Sequence, residues 1–185
     1  ALLLGRDVFG ATLGIVGMGQ IGKEIARRAR GFDMTILYYN RSRDEASETA
    51  LGVQYVSLDE LLGRADFVSL NVPLNAGTTG LIGARELALM RPHAYLINAA
   101  RGAVVDTDAL YAVLRDGLIA GAALDVSEPE PLPRDHPLLG LDNLILIPHL
   151  GTSTLGTRAR MGEMALQNLL DGLAGKPMVY PVTAN

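Results

Sequence analysis

Short apolar runs alternate along the chain with longer stretches in which apolar residues return every three or four positions. The runs Thr12–Val16, Thr35–Tyr39, Val53–Val56, Phe67–Val72, Ala94–Asn98, Ala120–Val126 and Leu144–Ile147 predict strands. The stretches Ile21–Arg30, Leu58–Gly63, Ala84–Met90, Thr107–Asp116 and Leu155–Ala174 predict helices. Tyr95-Leu96-Ile97 and Leu144-Ile145-Leu146-Ile147 are apolar at consecutive positions, as strands are when both sheet faces are covered. Strands that alternate with helices and are buried on both sides describe an α/β domain, a doubly wound parallel sheet with helices on both faces. The last helix carries an apolar stripe at Met161, Ala165, Leu166, Leu169 and Leu173, for which core packing is the plain explanation.

With 185 residues and 49% apolar content, the chain can bury the core of one domain, and disorder is excluded. The absence of cysteine removes disulfides, thiol chemistry and cysteine-held metals, and no metal site is expected. A net charge of −4 argues against nucleic acid as a partner. No apolar run approaches the ~20 residues that span a bilayer, so no membrane partner is expected, and a cytoplasmic setting is the default. The opening Ala1, followed by Leu2-Leu3-Leu4-Gly5-Arg6, has no charged leader and reads like the middle of a longer protein. Four prolines, Pro129, Pro131, Pro133 and Pro137, fall within Ser127–Asp142 and predict an extended loop. Such a loop is stiff enough to hold a functional side chain, or it is a passive connector.

The sharpest motif is Gly17-Met18-Gly19-Gln20-Ile21-Gly22, placed between the first strand and the first helix. Gly17 suits the tight turn, Gly19 lets backbone approach a diphosphate, and Gly22 lets the helix pack close to the strand. The amides of the helix start, through Gln20 and Ile21, and the positive end of its dipole then face phosphate. A glycine turn of purely structural purpose is the alternative. The strand before, the helix after and a second strand ending at Tyr39 favour a Rossmann-type dinucleotide site.

Asn40 stands 18 residues past Gly22, where NAD-binding domains usually carry a carboxylate for the adenosine ribose. A carboxylate repels a 2′-phosphate and a neutral side chain does not, while Arg41, Ser42 and Arg43 add positive charge and donors. This favours NADP(H), with NAD(H) possible. The plainer alternative is that Arg41 and Arg43 pair with Asp44 and Glu45 on a solvated turn.

Three other predicted strands run into polar residues: Ala94–Asn98 into Arg101, Ala120–Val126 (which contains Asp125) into Glu130, and Leu144–Ile147 into His149. In an open α/β sheet the ligand crevice lies beyond the carboxyl ends of the strands, so these side chains are expected to converge there. An arginine, a carboxylate and a histidine suit reduction of a carbonyl beside a carboxylate. His93, after Pro92, and His136, before Pro137, are expected to be ordinary turn residues.

Five stretches carry a resemblance to the nucleotide-binding domain of the D-2-hydroxyacid dehydrogenase family, and most to its glyoxylate/hydroxypyruvate reductase branch. They are Thr12–Gly22, Asn98–Asp106, Ala123–Leu132, His136–Leu139 and Asn143–Thr154. The resemblance implies Arg101, Glu130 and His149 as catalytic residues and Asp125 near the nicotinamide carboxamide. It also implies cofactor contacts at Val72, Pro73, Thr78, Ala99 and Gly151, with Arg101 and His149 reaching the cofactor as well. The Asn40–Arg43 run resembles the NADPH-preferring reductases. His93 departs from the small residue usual in relatives.

By the same resemblance, a second, flavodoxin-like substrate domain precedes this start point in relatives and is absent from this chain. Residues 1–185 are then one dinucleotide-binding domain, with residues 176–185 as a tail toward that missing domain, and the parent is expected to be a homodimer. The expected activity is NAD(P)H-dependent reduction of a small 2-oxo acid, glyoxylate or hydroxypyruvate, to the D-2-hydroxy acid. The alternatives are another dehydrogenase of the family, such as phosphoglycerate dehydrogenase, and a non-catalytic NAD(P)-sensing module like the family's corepressors.

Overall fold

The structure is a computed structural model that describes residues 5–181. Residues 1–4 and 182–185, including the end of the expected tail, lie outside the described residues. Two compact units are distinguished, residues 1–148 and 149–185.

The first unit is built on seven strands: β1 (Thr12–Val16), β2 (Thr35–Tyr39), β3 (Gln54–Tyr55), β4 (Phe67–Leu70), β5 (Tyr95–Asn98), β6 (Gly121–Leu124) and β7 (Leu144–Leu146). They form one parallel sheet in the order β3-β2-β1-β4-β5-β6-β7. Its helices are α1 (Gln20–Ala29), α2 (Glu45–Leu51), α3 (Leu58–Arg64), α4 (Ala84–Leu89) and α5 (Thr107–Arg115). The sheet grows outward from β1 in one direction and then restarts at β4 on its other side. The carboxyl ends of β1 and β4 therefore flank the topological switch point, where such sheets open a crevice.

The consecutive apolar runs are explained by two cores. Leu13, Ile15, Ile36 and Tyr38 pack on one face with Met18, Ala26 and Ala29. Val16, Leu37, Val68 and Leu70 pack on the other with Leu61, Leu62, Leu87 and Leu110. Gly14 marks how closely α3 covers β1, since a Cβ there would lie 2.4 Å from Leu61 Cδ2. Burying Leu61 completely is worth about 1.5–3 kcal/mol.

Predicted strands exceed the observed ladders at their ends. Val53, Val56 and Val126 are buried but lie outside the paired residues. Helix α2 is absent from the sequence expectation: only Ser47 and Leu51 are buried, so it shows no apolar stripe. Its start is fixed by Asp44, whose side chain accepts from the Ser47 amide, and its end by Gly52 at φ +68. The proline segment is irregular, as expected, apart from a short 3-10 turn at Pro137–Gly140 that buries Leu138. His136 begins that turn, its Nδ1 accepting from the Leu138 amide.

The second unit holds α6 (Leu155–Leu173), capped by the Thr154 hydroxyl accepting from the Thr157 amide; its stripe Met161, Ala165, Leu166, Leu169 and Leu173 is exposed and not packed in a core as expected. Its end is tied back by Asn168, whose side chain accepts from the Tyr180 amide and donates to the Tyr180 carbonyl. Among the described residues no helix is long and apolar enough to cross a membrane. Among them no group of three or more histidine, aspartate or glutamate side chains could hold a metal ion.

Candidate functional site

Gly17 leaves β1 with φ +102, and a Cβ there would lie 2.7 Å from the Asn71 carbonyl carbon, so only glycine fits. At Gly22 a Cβ would lie 2.3 Å from the Gly17 carbonyl oxygen, which is the close packing of helix on strand that the motif implies. Gly19 differs: a Cβ there would meet no protein atom within 4 Å. Its bare backbone faces the crevice rather than protein. Gly19 is also the N-cap of α1 and makes no side-chain cap bond, so the first-turn amides are presented at the same place.

Two clefts meet here. One, of about 580 Å³, is lined by Gly17, Gly19, Asn40, Arg41, Ser42, Val72, Pro73 and Thr78. The other, of about 550 Å³, is lined by Gly19, Gln20, Ile21, Val72, Pro73, Ala99 and Arg101. They share Gly19, Asn71, Val72 and Pro73, so a groove runs from the Asn40–Ser42 turn across the glycine turn to Arg101. A long ligand with phosphate at its middle fits that groove, with its two ends at separate polar clusters.

At the first end, Asn40 Oδ1 accepts from the Met18 amide at 2.8 Å, joining the end of β2 to the glycine turn. Arg43 donates two hydrogen bonds to Glu48, at 2.8 and 2.7 Å, and Glu48 raises its already high pKa further. Lys23 on α1 lies 2.8 Å from Asp44, and this ammonium, with the Ser47 amide and hydroxyl, holds the Asp44 carboxyl at about 2. Arg43 therefore takes Glu48 as its partner, not Asp44 or Glu45. Arg41 and Ser42 are exposed on the cleft wall. Thr78 closes that wall, its hydroxyl donating to the Pro73 carbonyl at 2.6 Å and accepting from the Asn75 amide at 2.9 Å.

At the second end, buried Asn98 shapes the turn that carries Arg101. Its Oδ1 accepts from the Ala100 amide and its Nδ2 donates to the Arg101 carbonyl, each at 3.0 Å. Arg101 Nη1 donates to the Ala100 carbonyl at 2.7 Å. Gly102 lets this turn touch the segment after β6, since a Cβ there would lie 2.0 Å from the Ser127 carbonyl oxygen. Asp125 is buried just beyond β6, its amide bonded to the Asn98 carbonyl at 2.9 Å, and Glu130 is exposed on the proline segment. His149 opens the second unit with φ +54, an uncommon conformation for a residue with a side chain, and Gly151 follows it as an exposed residue.

Of the expected contacts, Gly17, Gly19, Gln20, Ile21, Asn40, Arg41, Ser42, Val72, Pro73, Thr78, Ala99 and Arg101 line the groove, and Gly22 lies behind it. Sequence reasoning missed Asn71, which borders both clefts, and Asn98, whose work is done on backbone. The signal for both was available: each polar amide sits at the end of an apolar strand run.

The family described as D-isomer specific 2-hydroxyacid dehydrogenase, NAD binding domain, matches residues 1–151. A glyoxylate reductase of Korarchaeum cryptofilum is 54% identical over 169 residues, covering 91% of this chain and 51% of that protein. Among solved structures, the TT0316 protein of Thermus thermophilus aligns with a TM-score of 0.92 at 47% identity, covering 98% of this chain and 57% of that one. A glyoxylate reductase of Paecilomyes thermophila aligns with a TM-score of 0.84 at 46% identity, covering 91% of this chain and 51% of that one. The chain thus spans about half the length of the curated relatives it matches.

Proposed function

Because this chain belongs to the D-isomer specific 2-hydroxyacid dehydrogenase family, as its NAD-binding domain, we propose that the complete protein reduces a small 2-oxo acid, glyoxylate or hydroxypyruvate, to the D-2-hydroxy acid with NADPH in preference to NADH. The observation that carries this reading is the continuous groove with the Asn40–Ser42 turn at one end and Arg101 at the other. The bound dinucleotide supplies the hydride. Gly17 makes the turn, its own amide held by the Tyr39 carbonyl, while Gly19 and the start of α1 bring backbone amides to the phosphates, and Arg41 and Ser42 give a 2′-phosphate a cation and a hydroxyl. Asn40 adds no negative charge there.

Arg101 binds the carboxylate and polarises the carbonyl oxygen of the 2-oxo acid, from a turn that Asn98 holds in place. His149 gives that oxygen its proton, and Glu130 is the acidic partner that orients the imidazole. These last two roles rest on the family likeness of the Ala123–Leu132 and Asn143–Thr154 stretches. Asp125 serves the carboxamide side of the nicotinamide, and the family likeness extends cofactor contact to the backbone at Ala99 and at Gly151. A homodimer in the cytoplasm, with a second domain that closes over the substrate, belongs to the same reading.

The test is steady-state reduction by the complete protein of glyoxylate, hydroxypyruvate, pyruvate and 3-phosphohydroxypyruvate with each nicotinamide cofactor. The first two are expected to give the highest kcat/KM, with NADPH ahead of NADH. Preference for the phosphorylated acid would move the assignment to another member of the family, and absence of turnover on all four would remove it.

A further inference from the structure

The turn that carries Arg41 and Ser42 is gripped at both ends by tyrosine hydroxyls that do not line the groove. Tyr38, fully buried in β2, accepts the Asp44 amide at 2.7 Å and donates to Glu48 Oε1 at 2.9 Å. Tyr55 in β3 donates to the Asn40 carbonyl at 3.3 Å. The two rings meet edge to face, with centroids 5.4 Å apart. Residues 40 to 44 therefore lead from β2 into α2 between two fixed points, the Asn40 carbonyl and the Asp44 amide. Burial pushes the Tyr38 hydroxyl above its ordinary pKa; the Asp44 amide opposes this, and the Glu48 and Asp44 carboxylates add to it, so the net shift is upward and the hydroxyl stays a neutral donor and acceptor.

The same bonds arrange charge. The Glu48 acceptor of Tyr38 is also the partner of Arg43, and Asp44, whose amide Tyr38 accepts, is paired with Lys23. The carboxylates of Asp44 and Glu48 are each thereby paired with a cation, Lys23 and Arg43. Arg41 is left on the cleft wall. We infer that Tyr38 is a positioning residue for cofactor discrimination, holding the Asn40–Asp44 turn so that Arg41 and Ser42 meet a ribose 2′-phosphate. Tyr55 holds the opposite end. This inference rests on the proposed use of that turn for the cofactor's adenosine side.

Tyr38→Phe keeps the buried ring and deletes two hydrogen bonds, each with a net worth that corresponds to about three- to tenfold in an equilibrium constant. The measurement is the dissociation constant of NADPH and of NADH for the complete protein and its Tyr38→Phe and Tyr55→Phe variants, with thermal melts alongside. NADPH is expected to weaken by about three- to tenfold in Tyr38→Phe while NADH does not change. A merely structural role would lower the melting temperature and weaken both cofactors together, and that result, or an unchanged NADPH/NADH ratio, overturns the inference.

The wild-type ratio tests a different statement. Should the wild type favour NADH while Tyr38→Phe still lowers relative NADPH affinity, the preference reading fails and the positioning role stands. If Tyr38→Phe does not yield folded protein, Tyr55→Phe decides by the same ratio from the other end of the turn.

Discussion

The side-chain carbonyl of Asn40 accepts the backbone amide of Met18 at 2.8 Å, so the residue that follows β2 helps to hold the glycine turn that follows β1. Asn40 is thus a brace for the glycine turn, and in the proposed function it is also the neutral residue at the cofactor ribose. Asp is nearly isosteric and can accept the same amide. Asn40→Asp therefore isolates the charge, and it is expected to weaken NADPH by about tenfold or more relative to NADH. Titration of both cofactors checks this, and an unchanged ratio contradicts the account of the 2′-phosphate end. Asn40→Ala, which loses the brace, is expected to weaken both cofactors.

Gly22 has no room for a methyl group, since the obstacle is the Gly17 backbone oxygen at 2.3 Å and not a flexible side chain. Gly22→Ala must lift α1 from β1 and displace the amides at its start. Overpacking of this kind costs about 1–3 kcal/mol, and the loss of dinucleotide affinity is expected to accompany it. Thermal melts and cofactor titration read the two effects, and an unshifted melt with wild-type affinity contradicts the packing described here.

Asp66 lies at the amino-terminal end of the strands, buried just before β4. Its carboxylate accepts the Thr12 amide at 2.8 Å and meets His93 Nε2 at 2.9 Å and Arg6 Nη2 at 3.1 Å. Burial alone would raise its pKa, but the Thr12 amide, His93 and Arg6 together hold it below the usual 3.8. A folded value below the unfolded one means that this stability is complete above about 3.8 and is lost as the pH falls through the lower, folded value. Asp66→Asn is expected to cost about 1–3 kcal/mol near neutral pH, and the gap from wild type is expected to shrink below the carboxylate range. Unfolding curves across acid pH measure that gap. A constant gap contradicts the linkage.

His93 shows where reading the sequence stops. After Pro92 it looks like a turn histidine, and only the sheet brings it to Asp66, which is 27 positions away. Strands and helices were legible because their apolar residues recur with the right period, and the glycine turn because its spacing follows from the close contacts at Gly17 and Gly22. Helix α2 was hidden by its shortness and polar composition, although Asp44 and Gly52 mark its ends. Tyr38 looked like one more strand residue. Its hydroxyl acquires meaning from Asp44 and Glu48, and these partners sit at the start of that hidden helix and within it. Arg43 was legible as a charge and not as the partner of Glu48, for the same reason.

The proposed proton donor, His149, carries the most direct test of the account. His149→Ala in the complete protein is expected to lower kcat for glyoxylate by about a hundred- to ten-thousandfold, while the dissociation constant of NADPH stays at the wild-type value. A variant that turns over at the wild-type rate, or one whose loss is wholly a loss of cofactor binding, contradicts the assignment of this chain as the catalytic half of a 2-oxo acid reductase.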